Sequence, residues 1–532
     1  MTDRQKTTLL RGGRLTGILD TSMNSVLIED GRIVWIGRAK DAPSAKRVIE
    51  LDGSRVIPGL TDAHAHLYMR AQELMNLGLG PRTTTLSELL ERVRAACASA
   101  GPDEWVLSAD YSEQFLAERR HPSRQELDAV SAGKPVLLRR TGGHLSVANS
   151  AALKHAGFDD TTPDPLGGTI ERADGKLSGV LTENAADMVA ALAPPPSTGR
   201  KIDTLRQLAD ECLQYGIVAV VEAAVGFNNG FDVEWKIWNA LRDQGGLPLR
   251  MGFMLRIDPR DAQARSLEPG AIDVHWQART LKFFVDGIIG ARTAAFREPY
   301  ADRDTCGILM DEPEALRTKV AEAHAQGWQL AGHVIGDRGI NHWLDCLAQA
   351  QQACPRHDAR HRLEHFAVSD LQALAKVQAL GAVIVPQYGF LRRLGQSFAE
   401  AVGKQRAAQL YRGCTLCQAG IPVAGSSDHP IGGLSPYLGI AAAMDRMASN
   451  GLVLNADEAL TAEEALLAYS VGGAYVMGHE TRRGRLQVGQ LADIAVLDRD
   501  ILAIPSSEIE GARSRLTLVG GVEAYGDGTL TG

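Results

Sequence analysis

Eight short apolar runs, each able to form a strand, recur through the middle of this chain, and stretches with helical spacing separate most of them. The runs are residues 55–66, 216–223, 249–256, 280–286, 328–333, 361–365, 382–387 and 421–428. Helices are expected near 232–244, 313–326, 338–351, 369–380, 403–418 and 461–476. Apolar strands alternating with amphipathic helices predict a parallel sheet covered on both faces, and eight repeats close it as a (β/α)8 TIM barrel. In a closed barrel every strand ends at the same mouth, so residues far apart in sequence are delivered to one cavity.

The flanks read differently. Residues 1–57 and 479–532 carry short alternating runs with turn signals such as Gly12-Gly13, Asp30-Gly31 and Gly520-Gly521. Neither piece alone buries a sheet face, so the two are expected to pair as one small β-sandwich. The barrel then spans 58–478. Residues 67–201 form a large insertion after its first strand, with a strand-like Pro135-Val-Leu-Leu-Arg139 and a linker-like Pro194-Pro-Pro, and the insertion is expected to cover the mouth. Trp105, Tyr111 and Phe115 could line a hydrophobic slot within it.

A net charge of −8 argues against a nucleic-acid surface or an anionic membrane as partner, leaving a small molecule as the expected ligand. Seven scattered cysteines suggest a reducing, cytoplasmic location rather than a disulfide framework. Cys414 and Cys417 have the spacing of a metal knuckle but lack a second pair, so they are expected to pack a helix face. The first ten residues lack the apolar core of a signal peptide, and no run approaches a membrane span. A homodimer is the default assembly.

The strand ends carry the chemistry. Strand one supplies His64 and His66, which an extended backbone points to one side; strand four supplies Lys282 and Asp286, strand five His333, strand six Glu364 and His365, strand eight Asp428 and His429. Each has a plainer reading: His-x-His arises by chance, His333 or His365 alone could be a satisfied core residue, and Asp428 after Gly425-Ser-Ser could cap a turn. Convergence of several metal-type residues on one mouth favours a metal centre. Lys282 could instead pair with Asp286 or Glu364. Glu222 is a buried-strand acid that could reach either the site or a neighbouring arginine.

Pro58-Gly-Leu-Thr-Asp-Ala-His-Ala-His66 resembles the first-strand signature of the amidohydrolase superfamily. Leu281-Lys-Phe-Phe-Val-Asp-Gly287, Gly332-His-Val-Ile-Gly-Asp-Arg338, Arg362-Leu-Glu-His365 and Gly425-Ser-Ser-Asp-His-Pro430 are similar to its type 3 branch, which includes N-substituted formamide deformylase-like proteins. The resemblance covers nearly the whole chain. It implies that His64, His66 and Asp428 hold one divalent ion and His333 and His365 a second. It also implies zinc as the metal, with one or two ions per chain, two favoured, bridged by carboxylated Lys282. Such a site uses a metal-activated water to cleave the C–N bond of an amide, N-substituted formamide or cyclic amide, with Asp428 accepting the proton and returning it to the leaving nitrogen. The same parts could cut an ester, lactone or carbamate, and a non-catalytic assembly protein is the remaining alternative, disfavoured because every ligand position is filled.

Thr141-Gly-Gly-His144 is similar to a segment that sets a histidine over the metals, although this chain has Gly143 where the family has Asp. His144 could polarise or hold the substrate, or merely face solvent. Arg292 and Tyr388 could bind a substrate carboxylate and carbonyl; the alternatives are a salt bridge to Asp286 and a packed rim aromatic.

Overall fold

The computed structural model describes residues 7–141 and 144–530, which form two compact units, one of residues up to 69 together with those from 206 onward and one of the residues between them.

In the first unit, parallel strands Leu60–Ala65, Ile217–Val225, Arg250–Leu255, Trp276–Phe284, Gln329–Val334, Arg362–His365 and Val383–Val385 lie side by side in sequence order. Most of their residues are buried on both faces, as a sheet wrapped by helices requires. The expected eighth strand, 421–428, is not a regular strand, yet it closes the ring. Ile384 N–H donates to Pro422 O (3.0 Å) and Ala424 N–H to Ile384 O (2.9 Å), while Ala63 N–H donates to Gly425 O (3.2 Å) and Asp428 N–H to His64 O (2.8 Å). Its irregularity has visible causes. Pro422 has no N–H to give, Gly425 lies so close to the Tyr469 ring that a Cβ would meet it at 2.6 Å, and Asp428 has a left-handed backbone with φ of 54°.

The run 55–66 proves to be two strands. Arg55–Pro58 joins Arg14–Leu15 and three C-terminal strands in a five-stranded sheet, and the barrel begins at Leu60. Gly59 turns the chain from one sheet to the other where a Cβ would meet both methyls of Val218 at 2.6 Å. A second, four-stranded sheet is built only from N-terminal strands, and Leu10, Val26, Ile28 and Ile49 of that sheet share one core with Val56, Ile494, Val496 and Leu516 of the other. A buried bidentate pair of Arg250 with Asp493 (2.8 and 2.9 Å) joins this layer to the third barrel strand.

Helices Phe231–Asp243, Pro313–Ala325, Asp337–Ala353 and Leu371–Leu380 lie where their spacing predicts. The stretch 403–418 does not: it holds two short helices, Lys404–Ala407 and Cys414–Gln418, and the long helix lies earlier, at Gly389–Val402. Gly403, with φ of 79°, ends it.

The second unit has its own five-stranded sheet, ordered Gly168–Ala173, Lys176–Glu183, Leu145–Ala148, Val136–Arg140 and Val106–Tyr111. Alternate residues feed two cores: Val136 and Leu138 enter one with Tyr111, while Leu137 enters the other with Trp105. Trp105 and Tyr111 are thus core residues rather than the wall of a slot, and the Tyr111 hydroxyl is bonded to His121 Nδ1 (2.8 Å). No described helix is long and apolar enough to cross a membrane, and all seven cysteines are free thiols.

Candidate metal centre

His64 and His66 leave the first barrel strand on one side, and the closing segment brings Asp428 to them. Nε2 of His64 and of His66 stand 3.4 and 3.2 Å from Asp428 Oδ1, and the donor atoms of the three residues lie within 4.8 Å of one another. These contacts are long for hydrogen bonds. Asp428 Oδ1 and His66 Nδ1 are buried without a hydrogen-bond partner among the described residues. An unpaired buried polar atom costs roughly 1–3 kcal/mol, so a donor set that leaves two such atoms in one cluster fits a cation better than an empty core. Nitrogen and carboxylate oxygen are the donors zinc takes.

A second pair of candidate histidines lies next to this group. The rings of His333 and His365 are 4.4 Å apart between centroids, and His365 is 5.1 Å from His64. The rings of His64, His333 and His365 are each steered by the atom bound to one nitrogen, as metal-ligating histidines usually are. Glu364 accepts from His64 Nδ1 (2.6 Å), Gln387 Oε1 meets His365 Nδ1 (2.6 Å), and Gly287 O meets His333 Nε2 (3.1 Å). These contacts leave His64 Nε2, His365 Nε2 and His333 Nδ1 as the nitrogens with lone pairs to offer. Burial drives the pKa of His66 down, that of His333 to about 3, and that of His365 well below its usual value, so the rings are neutral, the form that binds metal.

Lys282 stands among these groups with no hydrogen bond or ion pair among the described residues; neither Asp286 nor Glu364 holds it. Its side chain is 4% exposed, its Nζ lies 5.3 Å from the Phe284 ring, and burial lowers its pKa to about 8. Asp286 is occupied elsewhere, accepting from the backbone N–H groups of Ala295 (2.9 Å), Ile335 (3.0 Å) and Gly336 (2.8 Å).

The surrounding residues fix this geometry. Arg362 donates to both oxygens of Glu364 (2.6 and 3.1 Å) and to Ala63 O (2.6 Å), making a buried relay from guanidinium through carboxylate to the His64 ring. Burial alone would raise the Glu364 pKa, but Arg362 and His64 outweigh it and hold the group well below the carboxylate range. Asp62, two residues before His64, takes the backbone N–H of Ser427 (3.0 Å) and its hydroxyl, tying the first strand to the segment that carries Asp428. Two of the candidate ligands sit in left-handed backbone, His365 at φ of 71° and Asp428 at 54°, a conformation that surrounding contacts must hold in place.

The sequence profile described as the Amidohydrolase family matches residues 47–525, most of the chain. This chain belongs to the amidohydrolase family. It is a hydrolase acting on carbon–nitrogen bonds. An N-substituted formamide deformylase of Arthrobacter pascens is 29% identical to it over 528 residues, covering 94% of both chains. The Arabidopsis thaliana protein LONG AFTER FAR-RED 3 is 27% identical, covering 94% of this chain and 88% of its own. Among solved structures, an uncharacterized metal-dependent hydrolase of Pyrococcus furiosus superposes with a TM-score of 0.73 at 25% identity, covering 93% of this chain and 100% of its own.

The remaining candidates of this amidohydrolase are placed as follows. His144 belongs to the second unit, is exposed, and has Nδ1 3.1 Å from both oxygens of Glu183; the neighbouring Gly142 and Gly143 lie outside the described residues. Arg292 pairs with Asp302 rather than Asp286, through Nε at 3.1 and 3.2 Å. Tyr388 is buried, and its hydroxyl donates to Arg412 O (3.1 Å). Glu222 contacts the chain just past His66, accepting Tyr68 N–H (3.2 Å), and burial raises its pKa to about 8. Gln387, which orients His365, was not singled out in the sequence; its place at the end of the seventh strand was the available signal. Arg362 was visible only as part of a motif, and nothing in sequence marked it as the partner of Glu364.

Proposed function

We propose that this amidohydrolase uses zinc, two ions per chain, to hydrolyse an amide, N-substituted formamide or cyclic amide. His64, His66 and Asp428 would hold one ion, His333 and His365 the other, and carboxylated Lys282 would join them. The observation that carries the reading is the convergence of His64, His66 and Asp428 donor atoms within 4.8 Å, beside the His333–His365 pair and a buried, unpaired Lys282. Carboxylation needs a neutral amine, which a lysine with its pKa lowered to about 8 presents far more often than an exposed one. The carbamate would supply bridging oxygens and negative charge among otherwise neutral imidazoles.

Bound divalent ions supply Lewis acidity, lowering the pKa of water and polarising a carbonyl. The chain's own residues do the rest. Asp428 takes a proton from the water whose oxygen bonds to the carbonyl carbon. It then delivers that proton to the departing nitrogen as the C–N bond breaks, so an amine leaves rather than its far less stable anion. Glu364, held by Arg362, keeps the His64 ring in the orientation the site needs. Asp62 and Ser427 hold the Asp428 backbone against the first strand. The seven free thiols support a reducing, cytoplasmic setting.

The test is metal analysis of purified protein followed by turnover on matched amide, formamide, lactam and ester substrates. Cleavage of C–N substrates that disappears with Asp428→Asn is expected. Ester-only turnover, or full amide turnover by the Asn variant, would overturn the reading.

A further inference from the structure

Three consecutive barrel strands end in side chains that the metal centre does not use. Strand two runs out at Val225 and is followed by Phe227; strand three runs out at Leu255 and is followed by Arg256; strand four ends on Phe284. The Phe227 and Phe284 rings stack, with centroids 5.2 Å apart and planes 20° from parallel. The Arg256 guanidinium lies 5.5 Å from the centroid of each. Phe227 is also 6.1 Å from the His66 ring and Phe284 5.5 Å from the His333 ring, so the aromatic pair borders both halves of the centre.

The arrangement is built rather than incidental. Phe284 follows Lys282 by two residues and shares its side of the strand, whereas Phe283 between them packs on Trp343 (5.5 Å) on the other side. The turn carrying Phe227 is fastened by buried Glu234, which accepts from the N–H groups of Gly226 (2.6 Å), Asn228 (2.7 Å) and Asn229 (2.7 Å). Gly226 has φ of 104°, and a Cβ there would meet Arg256 O at 2.9 Å, so the two turns are pressed together at a position only glycine fits. Arg256 N–H completes the junction by donating to Val225 O (2.9 Å).

Two features of this platform point outward. Phe227 is 41% exposed beside a catalytic centre, an apolar face left for something to cover. Arg256 is exposed and forms no ion pair among the described residues, whereas Arg292 and Arg362, which also lie near barrel-strand ends, each have a carboxylate partner. A guanidinium laid on aromatic faces keeps its N–H edge free and pre-oriented, the geometry that takes a carboxylate through two parallel hydrogen bonds.

We propose that Arg256, seated on the Phe227–Phe284 pair, is the receptor for a substrate carboxylate, and that the amide cleaved joins its scissile bond to an apolar group bearing that carboxylate. The apolar portion lies on the exposed aromatic ring and the carboxylate meets Arg256. This rests on the hydrolytic reading above and narrows it from amides in general to anionic, apolar ones.

A matched pair tests it: N-formylphenylalanine, in each enantiomer, against N-formylphenethylamine, which differs only in lacking the carboxylate. The zinc-reconstituted wild type is expected to favour one enantiomer of the acid in kcat/KM, by about ten- to hundredfold, the scale of a charge-assisted hydrogen bond. Arg256→Met, which keeps the packing of the stem on the rings, is expected to abolish the preference, chiefly through KM, and to leave the neutral substrate within about threefold. Equal turnover of acid and neutral partner by the wild type, or an equal loss on both in the variant, overturns the proposal. Calorimetry with phenylacetate gives a readout independent of turnover: binding at least about tenfold weaker in Arg256→Met supports the proposal, while equal binding, or none to the wild type, overturns it. Failure of every amide with phenylacetate selectivity intact would sink the hydrolytic reading and leave the carboxylate receptor standing.

Discussion

Two pairs of histidines flank the fifth and sixth barrel strands, one at the mouth and one at the base, where His324 belongs to the helix Pro313–Ala325 and His361 stands just before Arg362–His365, and they are built for different work. At the base, His324 and His361 are joined Nδ1 to Nε2 at 2.8 Å; Leu330 N–H donates to His361 Nδ1 (3.0 Å), and His324 Nε2 meets Cys354 O (2.7 Å). Every ring nitrogen of this pair is used. At the mouth, His333 and His365 approach as closely, but each ring has only one nitrogen engaged, by Gly287 O and Gln387. The first pair is a closed hydrogen-bond chain, the second a set of oriented lone pairs. Residue type and burial do not separate them; the accounting of nitrogens does.

Substitutions at the two ends should therefore fail in different measurements. The largest effect is expected at the mouth, where Asp428→Asn lowers turnover of the metal-loaded enzyme by roughly 10²–10⁴-fold, with the thermal midpoint little changed; steady-state kinetics beside circular dichroism melts would show it. Next, Glu364→Gln weakens the hold on the His64 ring and is expected to cost about 10–100-fold in metal affinity or activity, read by competition with a chromophoric chelator. At the base, His361→Asn breaks the chain and leaves its partners buried, so stability falls by about 1–3 kcal/mol in urea titrations while metal content and kcat/KM of the folded enzyme stay at wild-type values. A base variant that lost metal but kept its stability would erase the distinction.

The smallest effect is the share of the pH dependence that the base contributes. Burial lowers the pKa of His324 and holds that of His361 well below its usual value. A base depressed in the folded state binds fewer protons there than when unfolded, so its stability is full above about pH 6.5 and is lost as pH falls toward the folded-state values. Wild-type stability is expected to drop by about 1 kcal/mol between pH 7 and 5.5 beyond the drop seen in a His324→Gln, His361→Asn double variant, measured by denaturant titration of metal-free protein.

Much of this was legible in the sequence, and what was not has physical reasons. Apolar runs located the barrel strands, because a strand buried on both faces leaves a continuous signal; the strand ends then named His64, His66, Lys282, His333, His365 and Asp428. The division at Gly59 was hidden, since both sheets bury their strands and the apolar run crosses the boundary without a break. The closing segment read as a strand from its apolar residues, and its hydrogen bonds are those of one, although Pro422 and the turn at Asp428 interrupt the ladder. Helix Gly389–Val402 was missed, falling between the strand expected to end at Gln387 and the helix expected at 403–418. His361 was recognised only as the start of a strand, and no periodicity tells a histidine with both nitrogens spent from one with a lone pair to give. That difference belongs to Leu330 N–H, Gln387 and Gly287 O, which only the fold brings together.

The most direct measurement is metal content by mass spectrometry after reconstitution with zinc and removal of free metal, on wild type, His64→Ala/His66→Ala and His324→Gln/His361→Asn. Two ions per chain in the wild type and the base variant, with the mouth variant losing at least one, is the expected result. A wild type that retains no metal, or a mouth variant that retains as much as the wild type, would contradict the central claim.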